Sequence, residues 1–148
     1  MATGFAKEGG KKNNKKGYRF LLSLNDEQKQ AKREIFENTI SILLGKAGSG
    51  KTLLACQIAL QEVLEKKRSK IIITRPTISK EDIGFLPGNM EEKMSPWVAP
   101  IYSNMYQLLR KERVDNLIKD GTIEIVPVSY MRGRTFLNAC VIVDECQN

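Results

Sequence analysis

The stretch "GKAGSGKT", residues 45–52, fits the spacing G-x-x-x-x-G-K-[ST] at every position. Each residue type has a physical task in that spacing. Gly45, Gly48 and Gly50 let the backbone turn its N–H groups inward around an anion, with Lys46, Ala47 and Ser49 completing the wrap. Amides so arranged, at the start of a helix, form a cradle for phosphate. Lys51 is placed to reach β- and γ-phosphates, and the Thr52 hydroxyl to ligate Mg²⁺. The bland alternative is a glycine-rich turn with a stray lysine. A second set of groups lies in "CVIVDECQN", where Asp144 and Glu145 follow an apolar run. Asp144 suits Mg²⁺ held through its water shell. Glu145 suits the orientation and deprotonation of an attacking water. An ordinary strand end followed by polar loop residues would also read this way.

These groups need elements to bring them together. "LNDEQKQAKREIFEN" has Leu24, Ala31, Ile35 and Phe36 at the spacing of a helix with one buried face. "TISILL" (39–44) reads as a buried strand leading into the glycine loop. "KTLLACQIALQEVLEKK" (51–67) is a run of good helix formers, basic at its C-terminal end. "KIIIT" (70–74) is a second strand, "TIEIVPV" (122–128) a third and "CVIV" (140–143) a fourth. Between them "FLPGN" reads as a turn, and "PWVAPIYSNMYQLLRKERVDNLIKD" as one or two helical pieces ending at Gly121. Strands alternating with helices predict an α/β fold with a mainly parallel sheet. Their continuous apolar character fits burial on both faces, with helices on either side.

The 148 residues suffice for one domain. The net charge of +7 is unevenly placed. Residues 1–19 hold Lys7, Lys11, Lys12, Lys15, Lys16 and Arg19 against Glu8 alone, a net +5. This low-complexity stretch is expected to be a disordered tail, residues 1–19, ahead of a folded domain over residues 20–148. It reads either as a solubilising tail or as a tether to nucleic acid. No apolar run approaches the ~20 residues that span a bilayer, and no signal-peptide pattern opens the chain. A cytoplasmic protein with no membrane partner is the expectation. The chain contains no histidine, which removes the usual general base and any His-based zinc site. Cys56, Cys140 and Cys146 lack C-x-x-C spacing and are expected as reduced thiols packed like small apolar groups.

With both motifs placed, the sequence from about residue 20 to 148 resembles the PhoH-like proteins, P-loop ATPases related to superfamily 1 helicases. The resemblance extends well past the phosphate loop (Walker A) and the acidic pair (Walker B). "TRPTISKEDIGFLPGNMEEKMSPWVAPIYSNM" (74–105) carries the family's arginine–proline, "GFLPG", "EK" and P-x-x-x-P elements. "IEIVPVSYMRGRTFLNACVIVDECQN" (123–148) carries "RGRT" and a variant of "DEAQN", with Cys146 where the family usually has alanine.

The resemblance implies a RecA-like P-loop NTPase core that binds ATP and Mg²⁺ and couples hydrolysis to single-stranded nucleic acid, RNA more than DNA. It implies roles for further residues. Gln28, 17 residues before Gly45, is similar to the helicase glutamine that reads adenine. Its side-chain amide can donate and accept at once. Asn25 and Gln28 also fit a capping box, and one residue can serve both ends. Arg75 resembles the element that couples the phosphate site to nucleic acid. Gln147 resembles the glutamine that senses the γ-phosphate. Arg132 and Arg134, around Gly133, suit nucleic-acid phosphates or a neighbouring subunit's nucleotide in a homo-oligomeric ring. Surface arginines, a solvated basic turn and a plain polar loop residue are the plainer readings of these positions. Trp97, Tyr102 and Tyr106 can stack on bases, although positions 102 and 106 share a helix face and so suit packing better.

The family pattern continues past "DEAQN" with a further strand that lies between the phosphate-loop strand and the acidic-pair strand. The sequence is therefore expected to form an incomplete sheet with two unsatisfied strand edges. Each buried unpaired backbone group costs about 1–3 kcal/mol, against a typical net stability of about 5–15 kcal/mol. A marginal or aggregating chain is the expectation, unless the two edges close directly on each other. Two other functions stay open. One is a non-catalytic nucleotide-binding or interaction fragment. The other is a small-molecule or nucleotide kinase, against which the water-activating Glu145 counts. Nuclease activity is not expected.

Overall fold

The computed structural model describes residues 6–7, 17–76 and 90–147. The turn expected at "FLPGN" and most of the basic stretch, residues 8–16, lie outside the described residues. Two short strands, β1 (Ala6–Lys7) and β2 (Leu22–Ser23), pair antiparallel. Then follow α1 (Asp26–Glu37), α2 (Lys51–Leu64), β3 (Lys70–Thr74), α3 (Met90–Leu108), α4 (Lys111–Lys119), β4 (Ile123–Ile125) and β5 (Ala139–Val143).

The main sheet is parallel, in the order β4-β3-β5. β3 is central because it is the most apolar strand, with Ile71, Ile72 and Ile73 buried. A strand buried on both faces reads as an unbroken apolar run. β5 alternates instead. Cys140 and Ile142 pack against the core, while Val141 and Val143 stay open. β4 is shorter than "TIEIVPV" suggests. Pro127 has no N–H for a ladder, and the chain turns through a short 3-10 segment at Val128–Tyr130.

One core joins α2, α3, α4 and the sheet, through Leu60, Ile71, Ile73, Met105, Leu108 and Val114. Tyr18 and Phe20, edge to face, close one side of it. The Tyr18 hydroxyl donates to Glu65 Oε1 at 2.7 Å. Residue 18 thus belongs to the packed domain although it falls within the stretch read as tail. Trp97 is buried in the core. Tyr106 donates to Asp115 at 2.6 Å, with the Tyr102 ring 6.5 Å away. These aromatics pack rather than stand free. α3 begins at Met90 and runs through Pro96 and Pro100, so Pro96 does not mark its start.

Two further expectations are corrected. The α1 face of Leu24, Ala31, Ile35 and Phe36 is only partly covered, and the fully buried residue of α1 is Gln28. More important, "TISILL" is not a strand. Residues 41–46 have no regular structure, and Ile40, Ile42 and Leu44 are 84%, 73% and 83% exposed. The β-branched pattern is present, but a strand needs a neighbour. β3, the central strand, is already paired on both sides, and among the described residues β5 pairs with β3 alone. The two open edges do not close on each other. A hydrophobic run and a half-covered strand are both left facing solvent, an arrangement prone to association.

Charged substitutions in this run are expected to cost little, because surface changes usually stay within about 0.5 kcal/mol. Ile40→Lys with Ile42→Lys should lower dye binding and light scattering while leaving the melting temperature unchanged. A drop of many degrees would mean that the run is buried. The thiols give a second check. Cys56 is buried and its pKa is pushed up to about 12, first by burial and then by the charge of Asp144. Cys140 is also raised, chiefly by burial, and Cys146 is exposed. Alkylation at pH 8 should reach Cys146 first, Cys140 slowly and Cys56 only on unfolding, as mass spectrometry of timed samples will read.

Candidate functional site

The site forms where β3 and β5 end. Their register pairs Thr74 with Val143. Asp144 N–H then donates to Thr74 O at 2.8 Å, extending the ladder by one residue. The first residues past the two strands, Arg75 and Asp144, therefore meet at the C-terminal edge of the sheet. In open α/β folds ligands bind at that edge.

The glycine loop reaches the same place from the other side. Gly48 and Gly50 adopt left-handed backbone, φ 76° and 84°, which glycine tolerates without a Cβ clash. Gly50 is the N-cap of α2 and supplies no side chain, so the first-turn N–H groups of α2 have no side-chain cap. At Gly45 an added Cβ would lie 2.9 Å from Ser49 Oγ, so a larger residue there would force the Ser49 side chain to shift. Ser49 N–H donates to Lys46 O, turning the chain, with Ala47 and Gly48 exposed at the tip. Lys51 folds back over this loop, and its ammonium donates to Gly45 O at 2.6 Å and Lys46 O at 2.9 Å. An ammonium satisfied by loop carbonyls is held at the mouth of the cradle, where an incoming phosphate would meet it.

One contact joins loop and acids. Thr52 Oγ1 donates to Asp144 Oδ1 at 3.0 Å, across 92 positions of sequence. Asp144 is nearly buried, and its other oxygen accepts from Arg75 Nη2 at 2.7 Å. A hydroxyl beside a carboxylate is the hard-oxygen donor set that Mg²⁺ takes. Mg²⁺ usually keeps its waters and needs only one or two carboxylates plus substrate phosphates. No group of three or more acids, cysteines or histidines stands together among the described residues. Thr52 and Asp144 thus fit Mg²⁺ completed by a nucleotide.

The remaining residues are less uniform. Glu145 is exposed, with φ 54°, a left-handed conformation uncommon for a non-glycine residue. Its carboxylate accepts from the Gln147 amide, so the two residues proposed to handle water and γ-phosphate are in contact. Gln28 is fully buried and forms the capping box with Asn25. Its Oε1 accepts Asn25 N–H at 2.9 Å, and its own N–H donates to Asn25 Oδ1 at 2.8 Å. Arg134 is committed within the chain. It grips Glu124 of β4 with two N–H donors, at 2.7 and 3.1 Å, and lies over Phe136. Arg132 is exposed and free of side-chain partners among the described residues. What sequence reasoning missed is the Arg75–Asp144 pair. The available signal was an acid and a base each placed first after a buried strand, but reading it requires the β3–β5 register.

Known proteins share this sequence pattern. The family model described as PhoH-like protein matches residues 21–148. The chain belongs to the PhoH-like protein family. Among curated relatives, a PhoH-like protein of Synechocystis is 41% identical over 82% of this chain and 37% of its own length. One from Bacillus subtilis is 42% identical over 75% of this chain and 35% of its own length. Protein PhoH of Escherichia coli is 37% identical over 86% of this chain and 37% of its own length. The chain thus spans little more than a third of these relatives. PhoH-like membership and the parallel sheet flanked by helices are consistent with a P-loop NTPase-like core. No helix among the described residues is long and apolar enough to cross a membrane.

The two arginines of "RGRT" should separate cleanly. Glu124 has its pKa lowered, mainly by its hydrogen bonds from Arg134 and then Lys70. A depressed carboxylate stabilises the fold above its unfolded pKa and loses that contribution as pH falls through the folded value. Arg134→Ala should therefore cost up to about 1 kcal/mol at pH 7, since both groups still meet water. The difference from the unmutated chain should shrink below the ordinary carboxylate range. Arg132→Ala should leave the melting temperature unchanged throughout.

Proposed function

We propose that the chain is the nucleotide-binding core of a Mg²⁺-dependent ATPase that acts on single-stranded nucleic acid, RNA in preference to DNA. The observation that carries this reading is the Thr52–Asp144 hydrogen bond, which brings the phosphate loop and the acidic pair to one point. In this reading the loop amides and Lys51 bind the β- and γ-phosphates and stabilise charge as the phosphoryl group transfers. Thr52 and Asp144 are the residues that would hold Mg²⁺, and the ion would supply neutralisation of the phosphate charge. Glu145 takes the proton of the attacking water, and Gln147, already bonded to it, reports the γ-phosphate. Gln28 would meet the adenine edge only if its buried amide were uncovered from its place in the cap. Arg132 and the basic residues ahead of Tyr18 contact nucleic-acid phosphates, or, in a ring of copies, Arg132 reaches the neighbouring nucleotide.

A second reading is nucleotide binding without turnover. It is favoured by the unpaired run 39–44, since the segment that enters the loop is not braced by a sheet.

Steady-state phosphate release and nucleotide binding by the same preparation will decide. Lys51→Ala should abolish both. Glu145→Gln should keep binding and slow hydrolysis by about 10²–10⁴-fold, the usual contribution of a general base. Binding with no turnover in the unmutated chain would favour the second reading. RNA should raise turnover in low salt, and removing residues 1–16, which spares Tyr18, should weaken that effect.

A further inference from the structure

Asp144 has two oxygens, and both are occupied. Oδ1 accepts the Thr52 hydroxyl, and Oδ2 accepts Arg75 Nη2 at 2.7 Å. The arginine is not gripping the carboxylate as a fork. Only one of its nitrogens bonds there, and its Nε is buried with no partner among the described residues. A pair built for stability would use the two-pronged geometry that guanidinium and carboxylate share. An orphaned buried N–H instead costs free energy. The guanidinium carbon lies 5.9 Å from the centre of the Trp97 ring, at the outer reach of a cation–π contact. Trp97 is itself buried, with its indole N–H unpartnered among the described residues. Arg75 is therefore held by one strong bond and one marginal ring contact, on the carboxylate that a cation would need.

We propose that Arg75 is a built-in counter-ion that competes with the divalent cation for Asp144. Without metal it neutralises a nearly buried carboxylate. A second cation brought to the same oxygens is repelled by it. Metal loading therefore requires Arg75 to leave Oδ2, and its departure alters the surroundings of Trp97. Nucleotide phosphates supply the extra negative charge that favours this exchange, so bare metal binds weakly and metal with nucleotide binds well. The inference rests on Asp144 being the carboxylate that holds the metal.

The test uses the full chain, stripped with chelator, and bare metal as the probe. Free Mn²⁺ is counted by electron paramagnetic resonance. Mg²⁺ is titrated against the emission of Trp97, the single tryptophan of the sequence. Arg75→Gln should bind Mn²⁺ roughly tenfold more tightly than the unmutated chain, because a like charge has been removed. It should melt lower in chelator and recover with Mn²⁺, a rescue that a purely structural role for Arg75 would not give. Arg75→Lys keeps the charge and should keep weak Mn²⁺ binding. Mg²⁺ should shift Trp97 emission in the unmutated chain and not in Arg75→Gln. Asp144→Asn should bind Mn²⁺ in neither the presence nor the absence of Arg75.

Two failures are distinct. If Asp144→Asn loses Mn²⁺ while Arg75→Gln gains no affinity, the counter-ion is wrong and the metal assignment stands. If Asp144→Asn binds Mn²⁺ as the unmutated chain does, the metal assignment falls and this inference with it. Should Arg75→Gln not fold, the unmutated chain decides alone. Trp97 emission that stays constant at saturating Mg²⁺ overturns the proposal.

Discussion

Asp144 is the point at which three distant stretches of chain are tied together. Its backbone N–H extends the β3–β5 ladder, one oxygen takes the hydroxyl at the start of α2, and the other takes the guanidinium after β3. A nearly buried carboxylate is tolerated only where charge and hydrogen bonds compensate its lost hydration. Arg75 and Thr52 provide that compensation, and in doing so they fix the positions of loop and strand. The same group that the proposed chemistry needs is therefore one that the fold needs. Removing the carboxylate would loosen the geometry as well as any metal site.

The rest of the architecture serves this junction. β3 lies at the centre because its three isoleucines are buried, and a central parallel strand carries its C-terminal residue to the middle of the edge where ligands gather. α2 packs against the sheet and α3 through Leu60, Cys56 and their neighbours, so its first turn points its free N–H groups at that edge. Arg134, in contrast, spends its charge on Glu124 and braces β4. Its neighbour Arg132 has a similar sequence setting and no such bond. Two arginines separated by one glycine thus end in different roles.

Much of this was legible in the residues. The phosphate loop, the acid after "CVIV", the β-character of "KIIIT" and the helix after Lys51 follow from local pattern. So does the Asn25–Gln28 capping box, which is observed, whereas the adenine role of Gln28 came only from the family resemblance. The errors share one physical cause, which is that pairing is not local. "TISILL" carries a strand's side chains yet has no strand beside it among the described residues. "TIEIVPV" loses its last residues to a proline that cannot join a ladder. The Arg75–Asp144 contact links positions 69 apart and depends on a register that no window of sequence contains. Likewise Tyr18 was assigned by the composition around it, whereas its ring is held by a carboxylate 47 positions away.

The register of β3 has a consequence for how the molecule assembles. Lys70 pairs with Ala139, and Ile71 with Ile123, so neither side of the central strand can be satisfied by its near neighbours in sequence. Such topologies form slowly, because long loops must close before any contact rewards them. During synthesis at about 5–20 residues per second, β3 waits seconds for its partners. The helices can settle meanwhile, but the sheet cannot. When residues 139–144 arrive, they complete the ladder and deliver Asp144 to Thr52 in the same event. Phosphate loop and acid are not brought together in the nascent chain until its sheet is joined, so sheet and candidate site are acquired together.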